Sequence, residues 1–334
     1  MSRFTDRLGI RFPIVQAPMA GISTAPLVAA VANAGGLGTL GSATMSPETV
    51  EAQVRAVRAL TSAPFALNFF VHAPPRVDEA AADRMWQRLG RSDSRPALSA
   101  PPPFGAAMLE RVLALRPAVV SFHFGLPDDA SLRAVKDAGI VVLSSATSVA
   151  EAKLLAARGV DAVIAQGIEA GGHRGTFAAP PDEGDLGTLA LVPRIVDAVD
   201  VPVLAAGGIV DGRGIAAVLA LGASAAVLGT AFLACPEAVL DPAYRGALSG
   251  PHAARTRITR LYSGRPARAI VTPFLEQHAA LEGETLDFPL QRALSARLDV
   301  AMWAGQAAAA IRELPAAELV ATLVRETEAA QRHE

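Results

Sequence analysis

Eight short runs of apolar residues recur along the 334-residue chain, and longer stretches rich in alanine and leucine separate them. The runs are apolar throughout instead of alternating with polar residues. This pattern is typical of parallel strands whose two faces are both covered. We therefore predict eight buried strands, spanning residues 13–17, 37–41, 65–69, 119–122, 141–144, 162–165, 203–206 and 225–228.

Seven stretches between these runs have the apolar spacing of helices. Ser46 followed by Pro47 is a favourable helix start, because serine caps a helix and proline fits its first turn. Strands alternating with helices favour an α/β fold, a (β/α)8 TIM barrel, over a doubly wound sheet. A doubly wound sheet would carry Gly-x-Gly-x-x-Gly after its first strand, whereas 18–23 reads Pro-Met-Ala-Gly-Ile-Ser. The predicted helices span 26–34, 47–60, 106–115, 130–138, 149–158, 189–199 and 214–221.

Two segments interrupt this alternation. Residues 71–103 are charged and proline-rich, which predicts a lid or a partly mobile excursion. From residue 235 to about 300 prolines recur without a strand–helix pattern, which predicts a smaller cap. Residues 301–332 are alanine-rich, with helix expected on both sides of Pro315. We therefore expect a barrel over 1–234, a cap over 235–300, and C-terminal helices over 301–334 that pack back on the barrel.

Composition excludes several classes of protein. The formal net charge of −2 argues against a nucleic-acid partner, since phosphate binding needs clustered basic surface. The arginines between Arg255 and Arg268 are mixed with apolar residues, which favours local structure or a small anionic ligand. A single cysteine, Cys235, excludes an intrachain disulfide and a multi-cysteine zinc site; it is expected to be a buried hydrophobe, with a nucleophile as the alternative. No signal peptide, membrane span or metal site is expected, so we predict a cytoplasmic protein. Either a monomer or a homodimer is compatible with the sequence.

The loops after the strands are the expected location of an active site, because barrel enzymes place it at the strands' carboxyl ends. The loop at 166–175, Gln-Gly-Ile-Glu-Ala-Gly-Gly-His-Arg-Gly, combines glycines with Glu169 and His173. Glycine lets a backbone approach a flat or anionic ligand closely. Glycine-bearing turns at 207–208 and 229–230 follow the last two strands, where barrel enzymes frequently bind phosphate. Such turns also occur without any ligand, so the phosphate site and a plain tight turn both stay open.

Histidine exchanges a proton near neutrality, which makes His173 the candidate base; an ordinary loop histidine is the alternative. His123, at the end of the fourth strand, is the best second imidazole. The remaining histidines have no chemical context in the sequence and are expected to be surface or structural residues: His72, His252, His278 and His333.

Six motifs together resemble the FMN-dependent nitronate monooxygenases, formerly called 2-nitropropane dioxygenases. They lie at 16–21, 33–38, 68–70, 166–175, 206–209 and 228–232, and the likeness returns at 262–268 and 303–306. FMN-dependent enoyl reductases and NADH:quinone reductases share much of this pattern. The resemblance implies His173 as catalytic base and Glu169 as an orienting residue, with a direct acid role for Glu169 as the alternative. It also implies an FMN site formed by Ala17, Pro18, Met19, Gly21, Asn68, Gln166, Gly171, Gly172, Gly207, Gly208, Leu228, Gly229 and Thr230.

The implied reaction is oxidation of alkyl nitronates, and of nitroalkanes, with O2 to carbonyl compounds and nitrite. The alternatives are an NAD(P)H-dependent quinone or enoyl-thioester reductase and a non-catalytic flavin or phosphate-ligand binder. The chain departs from the family's usual tyrosines and lysine around the substrate, since it has only Tyr244 and Tyr262. Phe288 and Phe104 stand where tyrosine is expected, and Arg297 where lysine is usual. The substrate site is expected to include His123, Phe104, Tyr244 and Phe288.

Overall fold

A barrel of eight parallel strands forms the centre of the computed structural model, which describes residues 3–178 and 184–332. All eight predicted strands are present. The spatial order is first, eighth, seventh, sixth, fifth, fourth, third and second, and a Val15–Leu37 bridge closes the ring. The strands are β1 (Ile14–Gln16), β2 (Gly38–Gly41), β3 (Phe65–Phe70), β4 (Val119–His123), β5 (Val141–Ala146), β6 (Ala162–Gln166), β8 (Val203–Ala206) and β9 (Ala225–Leu228); the two-residue β7 (Gly172–His173) belongs to another sheet.

Helices surround this barrel and begin where capping residues predict. Ser46 accepts a hydrogen bond from Thr49 N at 3.3 Å, with Pro47 in the first turn, and Thr24 caps the preceding helix through Leu27 N. The seven predicted helices are confirmed, with ends displaced by at most three residues for 189–199. In chain order the helices are α1 (Arg3–Leu8), α2 (Ala25–Asn33), α3 (Pro47–Leu60), α4 (Glu79–Arg88), α5 (Ala106–Leu115), α6 (Asp129–Asp137), α7 (Val149–Ala157), α8 (Thr188–Val196) and α9 (Gly212–Ala220).

The apolar character of the strands follows from two separate cores. Successive side chains of a strand point to opposite faces. In β4, Val119 packs inside the barrel with Leu143 and Leu204, whereas Val120 packs outward against the helices. Both faces of the strand are therefore buried among apolar side chains, and a polar residue on either face would need a hydrogen-bond partner.

The cap contains a second sheet that reaches into a barrel loop. β10 (Thr256–Thr259) pairs antiparallel with β11 (Ala267–Ile270), and β11 pairs antiparallel with β7. Helix α4, from the excursion at 71–103, packs its apolar face into the same hydrophobic cluster as Leu261 and Tyr262. The cap also holds α10 (Pro242–Ser249), α11 (Pro273–Gln277), α12 (Gln291–Ser295) and a 3-10 turn at Ala279–Leu281. Two further 3-10 turns lie outside the cap, at Thr230–Phe232 after β9 and at Ala308–Ala310 in the C-terminal segment.

The expectation of helix on both sides of Pro315 is wrong for the N-terminal side. Trp303 bridges to Ala269, Gly305 N donates to Thr230 Oγ1 at 2.9 Å, and Gln306 N donates to Glu169 O at 2.9 Å. These donors bond to the barrel loops and the cap sheet instead of to a helical turn. After Pro315, α13 (Ala316–Gln331) packs on α9 and α2. In the described parts of the chain, no helix has both the length and the apolarity to cross a bilayer.

Candidate active site

A cavity of about 910 Å³ lies between the carboxyl ends of the barrel strands and the cap. Loops after β1, β3, β6, β8 and β9 form its floor, and residues 288–303 form part of its wall. Most of the residues predicted for a cofactor or substrate line it. They are Ala17, Pro18, Met19, Gly21, Asn68, His123, Gln166, Gly171, Gly172, His173, Gly207, Gly208, Gly229, Thr230, Tyr244 and Phe288.

Two predicted site residues do not line the cavity. Leu228 is fully buried in the core outside the barrel, and its neighbour Val227 faces the cavity instead, as strand alternation requires. Phe104 packs its ring 5.1 Å from both Phe69 and Phe122, so this partly buried side chain contacts the core instead of the cavity.

Unpaired backbone donors mark one end of the cavity. Within the described residues, the N–H groups of Gly208, Gly229 and Thr230 meet no acceptor. Gly207 and Gly208 have φ angles of 121° and 70°, a region that favours glycine and turns the backbone around the cavity. Converging N–H groups of this kind bind anions, phosphate among them.

The loop at 166–175 is held by its own polar side chains. Gln166 Oε1 accepts from Gly175 N at 2.8 Å, and its Nε2 donates to His173 O at 2.9 Å. The buried Arg174 guanidinium donates to Gln166 O, Gly167 O and Gly184 O. The loop that carries His173 is therefore fixed on the barrel side.

Glu169 anchors the same loop from outside the cavity. Both of its carboxylate oxygens accept from Thr188 N at 2.9 Å, and Oε2 also accepts from Thr188 Oγ1. Glu169 does not line the cavity. This geometry favours the orienting role over the direct acid role.

His173 is held from both sides. Its backbone lies in β7, opposite Ala267, and its Nε2 lies 2.9 Å from Ser263 Oγ. The Ser263 hydroxyl donates its one hydrogen to Arg265 O, so His173 Nε2 is the donor to Ser263. Nδ1 then keeps its lone pair, and it makes no hydrogen bond with any described residue.

His123 supports this arrangement from beneath. Its Nε2 donates to His173 O at 3.1 Å, and its Nδ1 accepts from Ser145 Oγ at 2.5 Å. Burial lowers the pKa of His123 to about 4. Burial, helped by the charges of His123 and Arg265, lowers the pKa of His173 to about 3. Both imidazoles are therefore neutral near pH 7, and His173 can accept a proton.

Aromatic rings surround His173 on its other sides. The Phe288 and Trp303 rings lie 5.1 and 5.2 Å from the His173 ring, and Phe70 lies 6.0 Å away. The Phe124 ring also lies 6.0 Å from the His173 ring, and the Arg265 guanidinium lies 3.9 Å from the centroid of Phe124. Burial lowers the pKa of the Arg265 guanidinium to about 10, so this charge persists and disfavours protonation of His173.

Asn68 and Tyr244, two polar residues of the cavity, differ in whether they keep an atom available for hydrogen bonding to a ligand. Asn68 Nδ2 donates to Ser121 O and Oγ, whereas its Oδ1 accepts no hydrogen bond from the described residues. The Tyr244 hydroxyl donates to Trp303 O. Asn68 is thus able to accept a hydrogen bond from a ligand, while the Tyr244 hydroxyl is occupied.

Several cavity residues escaped the sequence interpretation. His72, expected at the surface or in a structural role, lines the cavity, and Phe288 packs edge-on 5.0 Å away. Asn68, Phe70 and His72 alternate along one face of β3 and its extension, which was the available signal. Ser263 and Trp303 lay within quoted motifs but had no role assigned.

The arginine that lines the cavity is a different one from the arginine singled out in the sequence. Arg297 is exposed and lies outside the cavity, whereas Arg292, on α12, lines it. Of the other histidines, His252 is exposed and His278 packs on Phe274, as expected for surface and structural residues. His333 lies outside the described residues.

The described residues contain neither a metal-binding cluster nor an accessible thiol. Across residues 3–178 and 184–332, no group of three or more His, Cys, Asp and Glu side chains is placed to hold a metal ion. Cys235 is fully buried, and burial raises the pKa of its thiol to about 12. The thiol is therefore a packed apolar group, as predicted.

Comparisons with known proteins agree with this geometry. A nitronate monooxygenase from Pseudomonas aeruginosa is 47% identical, covering 97% of this chain and 98% of that protein. The crystal structure of a nitroalkane oxidase from Streptomyces ansochromogenes superposes with a TM-score of 0.91, at 38% identity and 99% coverage of both chains. FabK from Thermotoga maritima superposes with a TM-score of 0.78 at 30% identity, covering 100% of this chain and 98% of that one. Because the family model described as nitronate monooxygenase also matches residues 1–326, the chain belongs to the nitronate monooxygenase family.

Proposed function

We propose that this protein binds FMN and oxidises alkyl nitronates with O2 to a carbonyl compound and nitrite, and that it also accepts neutral nitroalkanes. The observation that carries the proposal is His173. It is a neutral imidazole held at Nε2 by Ser263, on the wall of a cavity that also presents unpaired N–H groups. Family membership and the likeness to a nitroalkane oxidase support the same reaction.

The cavity fits FMN at two points. The N–H groups of Gly208, Gly229 and Thr230 would receive its phosphate, and Asn68 Oδ1 would accept a hydrogen bond from its ring or ribityl chain. Backbone at 17–21 would line the flat ring. When bound, FMN supplies the electron acceptor that this chain's own side chains lack.

For a neutral nitroalkane, His173 acts as general base. The α-carbon–hydrogen bond breaks, the proton goes to His173 Nδ1, and the electron pair stays on the substrate to give the nitronate anion. The new negative charge beside the imidazole favours its protonated form, which offsets the effect of burial. Ser263 continues to accept from Nε2 throughout, so the ring keeps its orientation.

A substrate supplied as nitronate needs no base. His173 then has no proton to remove, and its role as a base is not required. In the net reaction, two nitronate anions and one O2 give two carbonyl compounds and two nitrite ions, which balances atoms and charge. The proposal therefore separates the two substrate forms by their need for His173.

Replacement of His173 by asparagine tests this separation. We expect His173→Asn to retain FMN and to lower kcat/KM for neutral nitroethane by about 10² or more, the usual scale for a general base. Activity on ethyl nitronate is expected to fall less. Ser263→Ala is the matched control, since it keeps the imidazole and removes only its support. Equal activity of the wild type and His173→Asn on nitroethane would refute the role.

Anaerobic mixing tests the reaction class. The proposal expects the flavin to be reduced by a nitronate and unchanged by NADH. Bleaching of the flavin by NADH alone, with nitronates inert, would instead establish a nicotinamide-dependent reductase. A purified protein that is colourless and stays so after addition of FMN would contradict both enzymatic functions.

A further inference from the structure

We propose that residues 303–307 form a clasp that joins the phosphate end of the FMN site to His173, and that the Thr230 hydroxyl tightens this clasp when phosphate binds. The clasp reads Trp-Ala-Gly-Gln-Ala. The inference rests on the proposed binding of FMN, and it gives a positioning role to a segment of the chain that takes no part in the proposed reaction.

One end of the clasp borders the proposed base. The Trp303 ring lies 5.2 Å from the His173 ring and 5.4 Å from the Tyr262 ring. The Trp303 carbonyl accepts from the Tyr244 hydroxyl, and the Trp303 backbone bridges to Ala269 in the cap sheet. The indole is therefore one of the rings that confine the His173 imidazole, and a shift of the clasp would change that confinement.

Two residues further along, the clasp is bonded to the barrel. Gly305 N donates to Thr230 Oγ1 at 2.9 Å, and Gln306 N donates to Glu169 O at 2.9 Å. A Cβ on Gly305 would lie 2.8 Å from Glu169 O, so this close contact requires glycine. The clasp therefore contacts both Thr230 and the loop at 166–175 that carries the base.

Hydrogen-bond donors remain available where the clasp meets the barrel. Thr230 Oγ1 accepts from Gly305 N but donates to no described residue, so its one hydrogen is available to a ligand. Ala307 lines the cavity, and its N–H, like that of Thr230, meets no acceptor among the described residues. The 3-10 turn that follows the clasp, Ala308–Ala310, packs on the turn that begins at Thr230. Clasp and barrel thus present donors to the same cavity.

An anion bound to these donors would strengthen the clasp. Backbone N–H groups without an acceptor are costly, and grouped N–H groups favour a negative ligand. A phosphate that accepts from the Thr230 hydroxyl makes Oγ1 a better acceptor, because hydrogen bonds in a chain polarise one another. The bond from Gly305 N to Oγ1 then becomes stronger. Since Gly305 is two residues from Trp303, the phosphate end and the His173 ring are mechanically linked.

Amide hydrogen exchange of the full-length protein tests the link, with riboflavin as the ligand that lacks the phosphate. Mass spectrometry compares the flavin-free protein with the protein saturated with riboflavin or FMN. We expect FMN to slow exchange in the peptide that covers residues 303–310 about tenfold relative to riboflavin. Inorganic phosphate alone is expected to give part of this protection. Equal protection by riboflavin and FMN overturns the inference, and so does full protection without any ligand.

Substitution of Thr230 separates the hydroxyl from the shape of the side chain. Thr230→Val removes the hydroxyl, and we expect it to weaken FMN binding about tenfold or more, the scale of a hydrogen bond to a charged group. Riboflavin binding, measured by the same flavin fluorescence titration, is expected to change by less than about threefold. Thr230→Ser is the matched control and should behave like the wild type. Equal weakening of both flavins, or FMN-dependent protection of the clasp that persists in Thr230→Val, would refute the proposal.

Activity then reports whether the clasp positions His173. In Thr230→Val saturated with FMN, kcat/KM for neutral nitroethane should fall about threefold more than for ethyl nitronate, since only nitroethane needs an oriented base. Equal losses for the two substrates would separate the clasp from the base and overturn the positioning role.

The same measurements separate this inference from the proposed function. Protection of the clasp by FMN in a protein that oxidises no nitronate would reject the proposed reaction and keep the clasp. Oxidation of nitronates with a clasp that FMN leaves unprotected would do the reverse. If the protein bound no flavin, the proposed function would fail, and protection by inorganic phosphate alone would decide whether the clasp responds to phosphate.

Discussion

The barrel and the cap border the same cavity, but they are assembled by different kinds of contact. Each barrel strand pairs with neighbours that lie near it in the order of the chain, apart from the closure between β1 and β9. The cap gathers distant segments: α4 packs against residues 261–303, and β7 from a barrel loop pairs with β11. The barrel provides the unpaired N–H groups of the floor, whereas the cap provides Ser263 and Phe288 and the C-terminal segment provides Trp303. Under the proposed function, phosphate binding and control of the substrate would therefore fall to separate parts of the chain.

The largest loss of stability from a single added methyl group is expected where the loop at 166–175 contacts residues 304–305. A Cβ on Gly171 would lie 2.5 Å from Gly305 N and 2.6 Å from Ala304 C, both rigid backbone atoms. We expect Gly171→Ala to lower the free energy of unfolding by about 3 kcal/mol or more and to reduce bound FMN. Urea unfolding and flavin absorbance measure the two effects.

Gly172 is the matched control for this prediction. It has a φ of +72° but nothing within 4 Å of a new Cβ, so Gly172→Ala costs only left-handed strain, about 1 kcal/mol. Equal losses of stability in the two variants would mean that the close contact of Gly171 with residues 304–305 does not contribute to stability.

Glu169 tests the barrel side of the same seam. Its carboxylate accepts both hydrogen bonds that Thr188 offers, and its backbone oxygen accepts from Gln306 N. Glu169→Gln replaces a charged acceptor by a neutral one and is expected to cost about 2 kcal/mol, the scale of a hydrogen bond to a charged group. Thr188→Ser keeps the hydroxyl and should cost less than half of this. A large loss of kcat with unchanged stability would instead indicate the direct acid role.

Sequence reasoning succeeded where a contact repeats along the chain. The eight strands and seven helices follow from apolar periodicity and caps such as Ser46, because neighbouring strands bury the same kind of surface. The cavity floor followed in turn, since the strands' carboxyl ends must meet. The side chain of Leu228 lies away from the cavity, because side chains alternate between the two faces of a strand and only Val227 points inward.

The cap could not be reasoned out in this way. Its contacts join residues more than a hundred positions apart, such as β7 to Trp303 and α4 to Tyr262, and no local pattern fixes them. Phe104 was placed in the substrate site by resemblance, yet it packs between Phe69 and Phe122. His72 had a local signal, because it continues the alternation of Asn68 and Phe70 beyond β3.

Acid is expected to lower the stability of the folded protein, because His123 and His173 are buried as neutral imidazoles. In the unfolded chain His123 and His173 take up protons near pH 6.5, whereas burial lowers their folded pKa to about 4 and about 3. The unfolded state therefore binds more protons below pH 6.5, and stability falls as pH drops from there toward 4. We expect His123→Gln to reduce this slope by on the order of 1 kcal/mol per pH unit, measured by urea unfolding between pH 7 and 5. An unchanged slope would contradict the burial of a neutral imidazole.

The smallest effect is expected at the surface of the cap. Arg88 on α4 forms an ion pair with Glu284, and both side chains are about half exposed, so solvent screens the attraction. Glu284→Gln should therefore cost less than about 1 kcal/mol, and 1 M NaCl should erase the difference from the wild type. The apolar face of α4, Ala82, Met85 and Trp86, is buried against the cap and should supply most of the attachment. Arg91→Gln is the reference variant, because it removes an ion pair with Asp93, only two positions away in the chain. The contrary outcome is that Glu284→Gln lowers the free energy of unfolding by more than twice as much as Arg91→Gln, at high salt as well as at low salt. That outcome would show that the ion pair helps to attach α4 to the cap, and that apolar packing alone does not hold the cap together.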